Sequence, residues 1–340
     1  MNSNESTLAI VVTHSSEPWE IGQKFFNMLD IQRDVDFSRI RVILVNDGEN
    51  NCLQDELFLN RPYQLEQITL PKSGVSVARN RGIDETSEEW IMFCDFDDTF
   101  SSVYSLRHIL DAVPNDAFDV IWTEFYVEDK YSNGAMVLYK RGLNQVFIHG
   151  KLYRTEFLKN NNLFFDPDLL HNQDSAFNAL VFATAEKQRI GELKTDAPIY
   201  CWCFNENSVT LNPENRDKLK VSLYLRNKKV CDAFKEKSLN NYYTENVART
   251  IIDAYYTLNI DALSPILQDM LDDFKVFYRE HKKEFESIPN KRLHEIKNAA
   301  RAQYIEGLRE EQNRYGKLIT KEADESIKVM QWLRQIEKNE

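Results

Sequence analysis

The sequence predicts an α/β fold: a mostly parallel sheet with an appended antiparallel ribbon, followed by an α-helical C-terminal domain. Three observations predict it. Short apolar runs alternate with amphipathic stretches through the first part of the chain, the pattern of strand–helix crossovers. Asn133-Gly134 parts two strand-like runs, which is a strong hairpin signal. Residues 1–215 hold 8 of the 10 Gly and 7 of the 9 Pro, so turn punctuation almost stops beyond them. The chain therefore divides into 1–215 and 216–340.

Taken in order, Leu8–Val12 is short, apolar and rich in β-branched residues, a buried strand. Pro18 to Leu29 follows as a helix, with Pro at a tolerated early position. Arg41–Val45 and Leu65–Leu70 are the second and third strands, Val75–Glu85 a helix, and Trp90–Cys94 a fourth buried strand. Ser101 or Ser102 suits the cap of a helix running to Ala112. Asp119–Val127 and Ala135–Tyr139 form the ribbon. Beyond Asp217 apolar residues recur every three or four positions, notably in Ser264–Glu286 and Lys291–Lys338. Ile266, Met270, Phe274 and Phe277 set one such face, and Leu293, Ile296, Ala300 and Tyr304 another. Such helices form a bundle; a dimerisation surface is the alternative.

Composition narrows the function classes. The formal charge is −12, which argues against nucleic-acid binding. Met1–Thr7 is polar without a basic region, and the apolar run behind it is too short for a signal-peptide core. No run approaches the ~18 apolar residues of a membrane span. Cys52, Cys94, Cys201, Cys203 and Cys231 are odd in number and scattered, as in a reduced cytoplasmic protein. The charge is unevenly placed. Residues 1–215 carry 18 Lys and Arg against 33 Asp and Glu, while 216–340 carry 24 against 21.

In an open parallel sheet, ligands bind beyond the carboxyl ends of the strands. Three strand ends are polar: Thr13-His14-Ser15-Ser16, Asn46-Asp47-Gly48-Glu49 and Asp95-Phe96-Asp97-Asp98. Carboxylates crowded at one strand end repel one another unless a cation neutralises them. Hard oxygen ligands suit Mg²⁺ or Mn²⁺, which commonly carry substrate phosphates. A helix start that favours acidic residues is the plainer account.

Gly74-Val-Ser76-Val-Ala78-Arg79-Asn80-Arg-Gly82-Ile83, with Val45-Asn46-Asp47-Gly48 and Phe93-Cys-Asp95-Phe-Asp97-Asp98, resembles the inverting family 2 glycosyltransferases of GT-A fold. Gly150-Lys151-Leu152-Tyr153-Arg154 is similar to that family's G-K-L-Y segment, and Gln173-Asp174-Ser-Ala-Phe177 to its E-D-x-x-F segment. The resemblance spans roughly residues 7–210. Departures are Thr13-His14-Ser15-Ser16 for the usual P-x-(Tyr/Phe)-Asn, Glu49 for Ser and Gln173 for Glu.

The resemblance implies a nucleotide-diphospho-sugar donor, UDP-linked by family habit, and a glycan, lipid-linked or protein acceptor. Thr13, Ser15, Asn46 and Asp47 would lie near base and ribose. Arg79 would support the nucleotide or its diphosphate, or form a structural ion pair. Gly74 would let backbone approach the donor. Asp95 would meet ribose or sugar hydroxyls, and Asp97, with Asp98, would bind the metal. Asp174 would be the general base that takes the acceptor proton; its alternative is the cap of a helix Ser175–Ala185. With Gln173 beside it, Asp174 is read as lacking a like-charged neighbour. His149 and His171 read as satisfied histidines, with substrate or metal contact the alternative. Tyr200 and Trp202 are core aromatics or an acceptor platform. A cytoplasmic enzyme follows, with peripheral attachment to the inner membrane face and a homo-oligomer through the helical domain left open.

Two rivals stand beside this reading. Ile91-Met-Phe-Cys-Asp95-Phe-Asp97-Asp98-Thr99 also resembles the first motif of haloacid-dehalogenase-type phosphatases, with Asp95 as nucleophile and Asp97 as acid/base. A non-catalytic nucleotide-sugar-binding scaffold is the other.

Overall fold

The structure, a computed structural model, describes residues 7–49, 53–113, 116–206, 208, 213–259, 262–316 and 327–338. The apolar runs become strands Leu8–His14 (β1), Ile40–Asp47 (β2), Gln64–Leu70 (β3) and Trp90–Asp95 (β4). β1, β2 and β4 run past their apolar stretch, which carries His14, Asn46-Asp47 and Asp95 into the sheet. Trp19–Asp30 (α1) and Val75–Glu85 (α2) are the intervening helices. Thr99–Phe100 (β5) is a short strand, and Ser105–Ala112 (α3) follows it. Val120–Trp122 (β6), Phe125–Lys130 (β7), Met136–Arg141 (β8) and Lys151–Arg154 (β9) come next. Thr155–Asn160 (α4), Gln173–Thr184 (α5), Ile190–Glu192 (β10) and Tyr200–Trp202 (β11) complete this part.

Seven strands form the main sheet in the order β10-β6-β9-β4-β1-β2-β3. All are parallel except β9, which runs against both β4 and β6. Alternate residues of the central strands face opposite sides. Leu8, Ile10, Val12, Val42, Leu44 and Met92 pack with Phe25, Phe26 and Leu29 of α1 and Leu106 and Ile109 of α3. Ala9, Val11, Ile43, Val45, Ile91 and Phe93 pack with Ala78 and Ile83 of α2 and Phe177 and Val181 of α5. Two covered faces explain why these strands read as continuous apolar runs.

α2 lies so close to the sheet that a Cβ at Gly82 would fall 2.3 Å from a Val11 methyl. A stiff β-branched side chain on a central strand cannot yield cheaply. Gly82→Ala gains up to about 1 kcal/mol of helix propensity, but overpacking costs about 1–3 kcal/mol. With the full gain, a net loss of about 0–2 kcal/mol is expected from urea unfolding; a variant more stable than the native chain would contradict this packing.

Three local expectations differ from the structure. Asp119–Val127 is not one strand. It divides into β6 in the main sheet and β7 in a second sheet of order β5-β11-β7-β8. The chain crosses between sheets at Thr123, whose N–H donates to the Gly150 carbonyl (2.8 Å). The ribbon β7–β8 therefore belongs to a separate sheet, and its turn carries Gly134 at φ 83°. α3 begins at Ser105 without a side-chain cap, because Ser102 Oγ accepts from the Tyr104 N–H within the preceding turn.

The C-terminal helices are Arg216–Glu236 (α6), Asn240–Leu258 (α7), Pro265–Glu286 (α8), Asn290–Tyr315 (α9) and Ile327–Lys338 (α10). The single predicted stretch 291–338 is broken after Tyr315. Gly316 takes a left-handed conformation (φ 64°) and its N–H closes on the Gln312 carbonyl, a common helix stop. In α8 Leu267 is buried while Ile266 is exposed. Phe274 stacks on Trp332 at 5.2 Å, and Tyr256 on Tyr304 at 4.8 Å. No described helix is long and apolar enough to cross a membrane.

The chain forms two compact units, residues 1–129 with 137–205, and residues 130–136 with 206–340. The ribbon tip thus groups with the helices; Ser132 N–H donates to the Asn313 carbonyl (2.9 Å).

Candidate active site

In register, His14 pairs with Asn46 across β1–β2, and Thr13 with Asp95 across β1–β4. The polar strand ends thereby form one edge, within the first unit. Thr13 and Ser15 are partly exposed there. Asn46 is wholly buried: its side-chain oxygen accepts from His14 Nδ1 (2.9 Å) and its amide donates to Gln67 (3.2 Å). Asp47 is also buried and accepts from the N–H groups of Ser73 (2.6 Å) and Gly74 (3.1 Å) and from Lys72 Nζ (2.8 Å). Burial opposes its charge, but Lys72 and the two amides outweigh it and hold the carboxyl below the usual range. Asn46 and Asp47 are thus engaged in building this edge. Gly74 starts α2 at φ 94°, and a Cβ there would meet open space. Lys72 also reaches Ser15 Oγ, a link the spacing of the two motifs does not disclose.

Arg79, on α2, joins the two halves of the site. One guanidinium nitrogen donates to Asp95 Oδ1 (2.7 Å) and the other to Asp174 Oδ1. Its guanidinium carbon lies 5.3 Å from the centroid of the Phe165 ring. The arginine is buried, whereas the side chains of Asp95 and Asp174 keep 27% and 21% exposure and so remain reachable. The ion-pair alternative for Arg79 describes these contacts.

Asp174 does not cap its helix. Asn172 occupies that position, and Asp174 lies in the first turn of α5, where the helix dipole favours a negative charge. The expectation that it lacks a like-charged neighbour is corrected. Burial raises its carboxyl first; Arg79 opposes that, and Asp95, across the shared arginine, raises it further. That neighbour is 79 positions away in sequence, so inspection of Gln173 could not find it. Lys151 acts on the same carboxylate. It is buried, donates to the Phe147 carbonyl, and burial draws its ammonium down to about 7.

The aspartates after β4 differ from one another. Burial opposes charge on Asp95, but Arg79 holds its carboxyl low. Asp97 is partly exposed and accepts from Asn205 Nδ2 (2.8 Å); burial and then Asp95 raise it. Asp98 is fully buried. Its oxygens accept from the Tyr200 hydroxyl (2.7 Å) and the Cys203 N–H (2.9 Å), and burial with Asp95 and Asp97 pushes it well up. His149 Nδ1 lies 3.6 Å from Asp98 and has no hydrogen-bond partner. The ring stacks on Tyr200 (5.3 Å) and Trp202 (5.7 Å), and burial draws its pKa down to about 4, leaving it neutral. Tyr200 is therefore a core aromatic.

This donor set fits a divalent cation. Asp95, Asp98 and His149 offer ligand atoms within 4.8 Å of one another, and Asp95 raises the carboxyls of both Asp97 and Asp98. An orphaned, neutral, buried imidazole is a common ligand type. His149, Lys151, Lys72 and Asn205 are the residues whose part the motifs did not assign. For Lys151 the signal was its place in the G-K-L-Y segment.

A mostly parallel sheet with acidic residues after its fourth strand is the GT-A arrangement. Residues covering 92% of this chain superpose on 92% of S. aureus TarS 1–349 in complex with UDP, with a TM-score of 0.58 and 18% identity. TarS 1–349 in complex with UDP-GlcNAc matches over the same shares at 0.58 and 19%. The chain belongs to glycosyl transferase family 2, whose family model matches residues 10–181. The uncharacterized glycosyltransferase EpsJ of Bacillus subtilis (strain 168) is 29% identical over 197 residues, 52% of this chain and 56% of that protein. The chain thus spans little more than half of that relative's length. Family membership decides between the two resemblances of the aspartate segment and sets the phosphatase aside.

Proposed function

We propose that the chain transfers a sugar from a UDP-sugar to a hydroxyl acceptor with inversion, assisted by Mn²⁺ or Mg²⁺, with Asp174 as general base. The observation that carries this is the bridge Asp174–Arg79–Asp95, which sets a reachable carboxylate of raised pKa beside the acidic edge of the sheet. The UDP and UDP-GlcNAc complexes of the TarS structures support a uridine donor. Thr13, Ser15 and Gly74 would line the donor, with Asn46 and Asp47 holding that edge in shape. Asp95 would meet ribose or sugar hydroxyls.

When bound, a divalent cation neutralises charge on the diphosphate as it leaves. Asp97, Asp98, Asp95 and His149 are the residues that would hold it. Asp174 accepts the acceptor hydroxyl proton as that oxygen forms its bond to the anomeric carbon, on the face opposite the departing diphosphate. Arg79 keeps the base aimed and limits the rise in its pKa. The helical unit would serve acceptor binding, oligomerisation or support of the catalytic unit.

A donor panel scored by nucleoside diphosphate release, with and without Mn²⁺, tests the reading. Release is expected with a UDP-sugar and metal, and mass spectrometry of candidate acceptors then identifies the product. No release with any donor would favour the binding scaffold. Asp97→Ala is expected to abolish the stimulation by Mn²⁺, and stimulation unchanged in that variant would remove Asp97 from the metal site.

A further inference from the structure

We propose that Cys201, Cys203 and Glu128 form a second cation site, selective for a thiophilic divalent ion such as Zn²⁺. β11 runs parallel to β7, with Cys201 opposite Tyr126 and Trp202 opposite Val127. Carried one residue further, that register sets Cys203 beside Glu128. Residues two apart on an extended chain face the same side, so both thiols stand on the same face of the sheet as the Glu128 side chain. Cys201 Sγ, Cys203 Sγ and a Glu128 carboxylate oxygen all lie within 4.8 Å of one another.

The donor chemistry separates this site from the aspartate cluster. Two sulfurs and one carboxylate oxygen match Zn²⁺, with bonds of about 2.3 Å to sulfur and about 2.1 Å to oxygen, and leave a fourth position for water. Neither cysteine is in a disulfide, and both are buried. Cys201 Sγ lies 3.9 Å from Trp202 O and Cys203 Sγ lies 3.7 Å from Cys201 O, and the two thiols also contact each other. Glu128 keeps solvent access and accepts one long bond, 3.3 Å from the Phe204 N–H. It therefore offers an entry path and a movable ligand. Binding releases the two thiol protons to solvent and involves no oxidation or reduction. The Cys201 side chain and burial push the Cys203 thiol well up, and Lys24 opposes them only in part, so the cation itself must displace the proton.

The position has a consequence for the first site. Cys203 N–H holds Asp98, and Asn205, two residues on, holds Asp97. A cation clamping Cys201 and Cys203 to β7 would fasten the segment that braces both aspartates.

The test titrates the full chain, reduced and freed of metal, with Co²⁺. Thiolate-to-cobalt charge transfer absorbs strongly in the near ultraviolet, and carboxylate ligands alone give no such band. One saturable equivalent is expected, displaced by Zn²⁺, with Zn²⁺ also raising the melting temperature. Glu128→Gln should weaken the affinity at least about tenfold. The double variant Cys201→Ser/Cys203→Ser should lose the band. A wild-type chain without the band, or a double variant that keeps it, overturns the proposal. If circular dichroism shows that the double variant does not fold, unchanged affinity in Glu128→Gln overturns it instead.

Discussion

Replacing Asp174 by Asn is expected to lower sugar transfer by about 10³-fold while leaving donor binding intact. General-base assistance contributes about 10²–10⁴-fold, and the amide keeps the size and one acceptor oxygen for Arg79. Donor affinity, read by titration calorimetry with UDP, should stay within about twofold because Asp95 still anchors the arginine. A fully active Asp174→Asn variant would remove the base. The pH profile adds an independent check. Transfer needs the carboxylate, so a carboxyl raised by burial and Asp95 places the acid limb above the ordinary aspartate value of about 3.9. Lys151 opposes that rise. Lys151→Met removes the opposition and should move the limb to higher pH; a move to lower pH would contradict the electrostatics of the site.

Arg79→Met is expected to have the largest effect on stability. It leaves Asp95 and Asp174 without their shared counter-charge, and removing one partner of a buried ion pair costs about 3–5 kcal/mol. Their partial exposure places the loss at the lower end, about 3 kcal/mol. The sign of its pH dependence is fixed. Without the arginine both folded-state carboxyls rise above their unfolded values, so their contribution is lost as pH rises through the folded pKa and recovered as protonation neutralises them. Urea unfolding should therefore show a larger deficit at about pH 8 than at about pH 5. An equal deficit at both would mean that Arg79 acts through packing on Phe165 alone.

Much of the first unit was legible because its information is local. Val75–Glu85 is a helix over the predicted residues, and Trp90 begins the strand that delivers Asp95, since apolar runs and their turn residues report on their own backbone. Gly316 ended a helix that periodicity alone would have continued, and its signal was also local, although the apolar pattern outweighed it.

By itself the sequence determined the parallel strand order's ingredients, the family and the residues gathered at one edge, because a strand's carboxyl end is set by where its apolar run stops. Tertiary structure alone decided how those residues divide their work. Asp98 and Asn46 carry side chains as polar as those of Asp97 and Thr13, yet they are buried and hydrogen-bonded within the protein, and their partners lie up to 105 residues away. Likewise, the sharing of Arg79 between Asp95 and Asp174, the crossing of Asp119–Val127 between sheets, and the meeting of Glu128 with Cys201 and Cys203 follow from strand register across distant segments. Pairing energy depends on distance and burial, and neither is written in residue type.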